Sequence, residues 1–149
     1  MSVKLGMEAK LYRNTGTYDV PVWVEVTNLR DATVSVEKGE ADVTTRANSG
    51  WRATLPTLKD LTIEFEMVWD TEDEGFAAIQ GAYFAGTAIE VAVMDGDIET
   101  AGSQGLRASM AVINFSRSEP LEEAISVSVT LKPTYAANAP EWMTVEEEA

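Results

Sequence analysis

Cysteine and histidine are both absent from this chain of 149 residues. Their absence excludes disulfide bonds, cysteine nucleophiles, thiolate or imidazole metal sites, and any serine–histidine–acid triad. Only carboxylates, lysine, tyrosine and the backbone remain for catalysis. These absences sharply lower the expectation of an enzyme, and we expect no enzyme activity, no catalytic residues, no cofactor and no metal.

Basic residues and long apolar runs are also scarce. The chain has 11 Lys and Arg against 25 Asp and Glu, a formal net charge of -14. Such a surface repels phosphates, which excludes duplex binding driven by counterion release. The net charge is compatible with two roles, solubility or a channel surface along which DNA moves without binding. The sequence does not decide between these roles. No apolar run approaches the ~20 residues of a membrane span. The start of the chain lacks a signal-peptide pattern, so we expect cytoplasmic synthesis and no membrane partner.

Alternating apolar and polar residues predict a mainly β fold. The segments with this pattern are 20–27, 32–37, 61–67, 89–93, 106–115 and 125–131. The stretch from Met110 to Ile113 is apolar on both faces, which indicates a strand that is central or covered by a helix. Asp95-Gly96 is a signal for a two-residue hairpin turn.

A single helix is predicted around residues 76–84, where aromatic and apolar side chains recur at helical spacing. Asp70 or Thr71 is expected to cap its start, with Glu74 completing a capping box after Thr71. Gly86 is placed to end it. We expect the aromatic face of this helix to lie on the sheet as part of the core.

Three groups of acidic residues are candidates for a metal site or a catalytic site. Residues 70–74 are weighed as a calcium site against a helix cap, and the structural role is favoured. Residues 95–99 lack the further spaced ligands of a calcium loop, so a turn explains them better. Glu64 and Glu66 share a strand face as paired catalytic carboxylates do, but nothing in the sequence marks a sugar cleft around them.

The segment 39–56 is too polar for a core strand and too long for a tight hairpin. Long excursions of this kind are usually functional or disordered. It contains Trp51 and Arg52, residue types enriched at interface hot spots. From the residues alone, an interface and a surface loop with Trp51 folded back on its own core are equally supported.

An ordered set of short elements resembles the major tail proteins, or tail tube proteins, of long-tailed bacteriophages. The set is Leu11-Tyr12, Asn14-Thr15-Gly16-Thr17, Trp23, Leu29-Arg30-Asp31, Lys38, Glu40-Ala41-Asp42-Val43-Thr44, Gly50-Trp51-Arg52 and Leu58-Lys59-Asp60. The similarity extends from about Leu5 to Lys132. It implies a two-sheet β-sandwich or barrel flanked by one α-helix, a fold shared with the tubes of type VI secretion systems and contractile tails.

The resemblance also implies an assembly. Subunits would form hexameric rings whose inner strands join into a channel, and the rings would stack into a tube. The partners would be further copies of the chain, the tape-measure protein and tail-end proteins, with DNA passing through the lumen without specific binding. The protein would reside in the virion tail after synthesis in the bacterial cytoplasm. In such proteins the long loop is mobile in the monomer and orders against the adjacent ring.

We therefore expect one tube-like domain over 1–133, an assembly loop at about 39–56, and an acidic, mobile tail over 134–149. By the same resemblance Asp42 to Trp51 would be the contact between rings. From their position on one strand face, we expect Glu64 and Glu66 to face solvent or the lumen. The candidate subunit-interface residues are Asp42, Thr44, Arg46, Trp51, Arg52, Arg30 and Asp31.

Rival functions stay open. The nearest is the inner tube of a contractile tail or secretion apparatus, which the sequence barely separates from the tube of a long-tailed phage. Another is a monomeric β-sandwich that binds carbohydrate through Trp23, Trp51 or Trp69. A third is a hydrolase built on Glu64 and Glu66.

Overall fold

The computed structural model describes residues 3, 6, 9–135 and 138–145. Within these residues the chain forms eight strands and one α-helix. The strands are β1 (Lys10–Asn14), β2 (Trp23–Glu25), β3 (Leu29–Asp42), β4 (Thr54–Val68), β5 (Ala88–Met94), β6 (Gln104–Ser118), β7 (Ser126–Pro133) and β8 (Glu141–Thr144). The helix α1 (Glu74–Ala85) connects β4 to β5. Among the described residues, no helix has the length and apolar character to cross a membrane.

The described strands belong to one open antiparallel sheet in the order β2-β1-β5-β6-β7-β4-β3. The mainly β fold with one flanking helix is confirmed, and hydrogen bonding joins the two expected sheets into one. The long strand β6 makes this connection, because it pairs with β5 along one edge and with β7 and then β8 along the other.

The core lies between α1 and one face of the sheet. Every second residue from Leu61 to Met67 in β4 is buried, and Val127, Val129 and Leu131 repeat the pattern in β7. This is the period of a strand with one face in the core and one in solvent. The helix places Phe76 on the same face, where its ring meets that of Trp69 edge-on at a centroid distance of 5.0 Å. The expected core role of the aromatic helix residues is therefore confirmed for Phe76.

The start of α1 differs from the prediction. Asp73 is the N-cap, because its side chain accepts a hydrogen bond from the backbone N–H of Phe76 at 2.9 Å. Asp70 and Thr71 lie in the preceding turn, so the expected capping box is wrong. Gly86 ends the helix as predicted, in the left-handed conformation with φ of 70°. The acidic segment before the helix thus has a structural role.

We expect Asp73→Ala to lower the free energy of unfolding by about 1 kcal/mol, the usual cost of losing an N-cap side chain. Urea denaturation followed by tryptophan fluorescence measures this loss. Glu72→Ala is the matched control, since Glu72 is an exposed neighbour outside the cap. Equal unfolding midpoints for the two variants would contradict the assigned cap.

Two further local predictions are wrong. Asp95-Gly96 does not form a two-residue hairpin, because β5 ends at Met94 and β6 begins at Gln104. Asp95 instead accepts a hydrogen bond from the Gln104 N–H at 2.9 Å and holds the base of a longer loop. Ile113 is not buried. It lies at a register shift between Val112 and Asn114 and is 55% exposed.

The expectation of a mobile tail is also wrong for the described residues 141–144. They form β8, which pairs with Gln104–Arg107 of β6 where β7 has ended. Met143 packs against a small second cluster formed by Tyr12, Ala92 and Met94. The acidic residues 146–148 lie outside the described residues.

Candidate assembly surface

The longest hairpin of the described chain extends beyond the rest of the sheet. β3 and β4 pair from Leu29↔Met67 to Asp42↔Thr54. β7 covers β4 only from Ile63 to Val68. We call residues 35–62 the hairpin arm, and residues 43–53 its tip. A two-stranded hairpin is marginally stable in water on its own, so an arm of this length is a segment that gains from a partner.

The arm exposes apolar side chains as well as backbone. The large apolar residues concerned are Val36, Val43, Trp51, Leu55 and Leu58, with exposures from 47% to 86%. Large apolar residues grouped on one projection are typical of an interaction site. The tip also carries Arg46 and Arg52 without any acidic residue.

The tip has a defined fold of its own. A 3-10 turn, Arg46–Asn48, is followed by Ser49 and Gly50, both with positive φ. The side-chain amide of Asn48 donates to the Trp51 carbonyl at 2.9 Å, and the Trp51 N–H donates to the Asn48 carbonyl at 3.0 Å. These bonds hold the Trp51 backbone in place while its side chain stays 76% exposed. The alternative in which Trp51 folds back on the core is wrong.

Asp42 and Thr44 form the neck of the tip. The Asp42 carboxylate accepts from the Thr44 N–H at 2.9 Å, and the Ala53 N–H donates to the Thr44 hydroxyl at 2.9 Å. Hydrogen bonds from the side chain and backbone of Thr44 lower the pKa of Asp42 below its usual value. The bonded, charged form therefore persists to lower pH than for a free aspartate.

Much of the predicted 39–56 loop is strand. Residues 39–42 belong to β3 and residues 54–56 to β4, which leaves 43–53 as the connection. A register shift between Lys38 and Glu40 places Gly39 opposite an extra residue of β4. A Cβ on Gly39 would lie 2.5 Å from the Thr57 hydroxyl oxygen. Both faces of this ribbon are in solvent, so the polar composition that suggested a loop is compatible with strand.

The pair Arg30-Asp31, whose residue types suggest a turn in the sequence, belongs to a strand. The two residues lie inside β3 between Leu29 and Ala32, where they oppose the single residue Glu66 of β4, and the one extra residue bends the strand as a β-bulge does. The Arg30 guanidinium is 3.6 Å from a carboxylate oxygen of Glu66 in the neighbouring strand. This pair lies on the same edge of the sheet as the arm but at the opposite end of β3 from the tip.

The solvent face of strands β6, β7, β4 and β3, here called the polar face, carries hydroxyl and carboxylate groups. Its members are Thr33, Ser35, Glu37, Asp60, Thr62, Glu64, Glu66, Asn114, Ser116, Ser128 and Thr130. In β4 and β7 they alternate with the buried residues of the core face, whereas β3 has no buried residue. Lys132 follows on this face and Arg30 reaches it, but carboxylates outnumber cations. The result is a polar, acidic wall backed by a packed core.

The same strands leave two edges open. β3 has β4 as its partner and no second partner among the described residues. β6 pairs with β5 only up to Ala111, so residues 112–118 have β7 on one side and no described strand on the other. Open edges of this length invite pairing with another chain.

A family model described as phage tail tube protein matches residues 9–135. The chain belongs to the phage tail tube protein family. It is a structural protein, and the family is not enzymatic. No curated protein is significantly similar to it in sequence.

Solved structures share the fold of this tail tube protein. The tail of an empty gene transfer agent particle with C6 symmetry matches at TM-score 0.73 and 17% identity, covering 95% of this chain and 100% of that one. The SPP1 tail tube matches at TM-score 0.74 and 15% identity, covering 97% and 81%. The anti-feeding prophage baseplate matches at TM-score 0.62 and 6% identity, covering 99% of each. At these identities the likeness shows the fold.

The other candidate sites find little support in the tail tube protein. Trp23 packs beside the second cluster, Trp69 packs on the main core, and Trp51 lies on the arm, so the three form no common sugar platform. Glu64 and Glu66 lie on the open polar face. Within the described residues, no group of three or more acidic, histidine or cysteine side chains is placed to hold a metal.

One buried charge cluster was not anticipated from the sequence. The Arg107 guanidinium pairs with Glu90 and donates to the Tyr18 carbonyl at 2.6 Å. It also lies 3.8 Å from the centroid of the Tyr18 ring. The Tyr18 hydroxyl bonds to Glu141 of β8, and this bond raises the pKa of Tyr18. The cluster ties β5, β6 and β8 together, and its members come from distant segments that no local pattern connects.

Proposed function

We propose that this tail tube protein forms six-membered rings by joining its two open sheet edges, and that the rings stack into a hollow tube. The proposal rests on the four neighbouring strands β6, β7, β4 and β3, whose two outer edges are open. One face of this unit contains the packed core, and the other is the acidic polar face. The C6 symmetry of the gene transfer agent tail supports six copies.

Strand direction supports edge-to-edge closure. Neighbours in the order β6-β7-β4-β3 are all antiparallel, so β3 runs opposite to β6. When this unit is repeated by rotation, β3 of one copy meets residues 112–118 of the next copy's β6 in antiparallel orientation. Backbone groups along these two edges, which are open in the monomer, then find partners.

The polar face would line the lumen of such a ring. Its carboxylates, Glu64 and Glu66 among them, repel phosphates, so DNA can pass without counterion-driven adhesion. We propose DNA passage during ejection as the function of this channel, with the tape-measure protein as its earlier occupant and tail-end proteins closing the tube. The protein would be made in the host cytoplasm and reside in the virion tail.

The arm would provide the contact between rings. Arg46, Trp51 and Arg52 are exposed on the tip and would touch the next ring, while Asp42 and Thr44 shape the neck. Arg30 and Asp31, on the open edge of β3, would contact the neighbour within the ring. Weak contacts of single subunits are multiplied around a ring.

Negative-stain electron microscopy of the concentrated protein, with its mass distribution in solution, tests the proposal. Six-fold rings or hollow tubes are the expected result. A uniform monomer at every concentration, also after addition of tail-end proteins as initiator, would contradict it and would direct attention to a glycan screen for the binding-module alternative. A sheath around the tube in the virion would identify the contractile alternative.

A further inference from the structure

The four-stranded unit has two chemically different ends. One end carries the arm and its tip. At the other end Val68 of β4 and Ser118 of β6 both pair with Ser126 of β7. The loops that follow β4 and β6 therefore lie at the same end, opposite the tip. We call residues 69–73 and 119–125 the acidic end.

The charges of the two ends are opposite. The tip carries Arg46 and Arg52 and no carboxylate. The acidic end carries Glu122 and Glu123, which are exposed and form no ion pair among the described residues. Its other carboxylates are Asp70, Glu72, Asp73 and Glu119, and no Lys or Arg lies within its two loops.

Large apolar side chains are exposed at both ends, Val43 and Trp51 on the tip and Leu121 at the acidic end. Trp51 is 76% exposed on the tip, and Leu121 is 100% exposed between Glu119 and Glu122 at the acidic end. A desolvated aromatic anchor within a charged rim is a common form of protein interface.

We propose that the tip of one copy docks on the acidic end of a second copy, with Arg46 and Arg52 facing Glu122 and Glu123, and Trp51 meeting Leu121. This rests on the proposed function and specifies which surface receives the arm. The occupant is a second copy, because every copy carries both the cationic tip and the complementary acidic end, whereas copies with a net charge of -14 repel each other in other orientations. Contact of a cationic tip with the acidic end is an orientation that converts this repulsion into attraction.

The contact is head-to-tail, since each copy offers a different surface at each end. Head-to-tail contacts that do not close form open filaments, which is the geometry of a stack of rings. The charge pairs lie at the surface, so their contribution falls as salt shortens the Debye length.

Charge reversal in two steps tests the inference at low ionic strength. The variant R46E/R52E is expected to form rings whose critical concentration for stacking rises at least about tenfold, equivalent to about 1.4 kcal/mol. Adding E122K/E123K to the same chain is expected to restore tubes. Each Arg→Glu changes the charge by -2 and each Glu→Lys by +2, so this quadruple variant keeps the wild-type net charge of -14.

The matched control is R46E/R52E/D19K/E99K, which also keeps the net charge but places the lysines at exposed positions away from the acidic end. Tubes from the first quadruple variant and not from the control support the inference. Tubes from R46E/R52E alone, or equal rescue by both quadruple variants, overturn it while the proposed function stands. A wild-type protein that forms no rings, also after addition of tail-end proteins as initiator, contradicts the proposed function and the inference together.

Discussion

Trp51→Ala should leave the monomer folded and raise the critical concentration for tube growth by about 30-fold or more. Trp51 is 76% exposed and belongs to neither apolar cluster of the described chain, so its side chain contributes little to the stability of the monomer. Truncating an anchor of this type costs about 2 kcal/mol or more per contact. Since 1.4 kcal/mol is tenfold, this corresponds to the stated change.

The measurement is sedimentation of assembled protein across a concentration series, with circular dichroism and urea unfolding of the monomer alongside. Tyr135→Ala is the matched control, because Tyr135 is an aromatic residue at least as exposed but outside the arm. Rings of Trp51→Ala should still form, since the proposed ring contact uses the edges of β3 and β6. If the Trp51→Ala monomer is unfolded, Trp51 is a core residue. If tube growth is unchanged, the tip is not part of the contact between rings.

The strands that could be predicted from sequence are those with one face in the core. From Leu61 to Met67, burial alternates along β4, and the sequence alternates with it. The same holds for Val127, Val129 and Leu131 in β7. Apolar and polar residues alternate because one face of the strand is buried, so the alternation identifies a half-buried strand.

Most of the arm could not be predicted as strand, because its residues are not buried. Residues 35–37 were still predicted as the end of the alternating segment 32–37. Residues 38–40 and 54–60 are exposed on both faces, so burial imposes no alternation on them. What defines them as strand is their pairing with each other, and a partner is not readable from one segment. The bulge at Arg30-Asp31 was missed likewise, because a bulge exists only relative to the neighbouring strand.

For the candidate site the structure decides only the exposure of the residues, and their role at an interface stays a prediction. Trp51 and Arg52 were identified by residue type and by their polar surroundings, and the structure places them on an exposed tip. The receiving surface that we propose was not predicted, because Glu122 and Glu123 are ordinary loop residues in the sequence. Their position opposite the tip follows from the register of β4, β6 and β7.

Arg107→Ala is expected to cost the monomer about 3 kcal/mol, far more than a surface substitution. The side chains of Arg107 and Glu90 are only 11% and 15% exposed. Removing one partner of a buried ion pair leaves an uncompensated charge, which costs about 3–5 kcal/mol. We take the lower figure because both groups keep some contact with water. Asn14, whose amide donates to Glu90 at 3.0 Å, would be the remaining partner of that carboxylate.

The contacts of Arg107 also predict which part of the chain loses protection from hydrogen exchange in Arg107→Ala. Arg107 lies in β6 directly opposite Glu141 of β8, and Tyr18 joins the two through its carbonyl and hydroxyl. Hydrogen exchange in residues 141–144 of Arg107→Ala should therefore rise more than exchange in β7, whose contacts are untouched. Urea unfolding measures the global loss.

The double variant Arg107→Met with Glu90→Gln separates charge from packing. It removes both charges and keeps side chains of similar length, so its loss should be smaller than that of Arg107→Ala. A double variant as unstable as the single one would mean that Arg107 acts through packing on Tyr18 and Trp23, over whose rings it lies at 3.8 and 5.2 Å from the centroids. With either outcome, Arg107 links β8 to β6 at the place where β7 has ended. Its role follows from its position in the fold and not from its neighbours in the sequence.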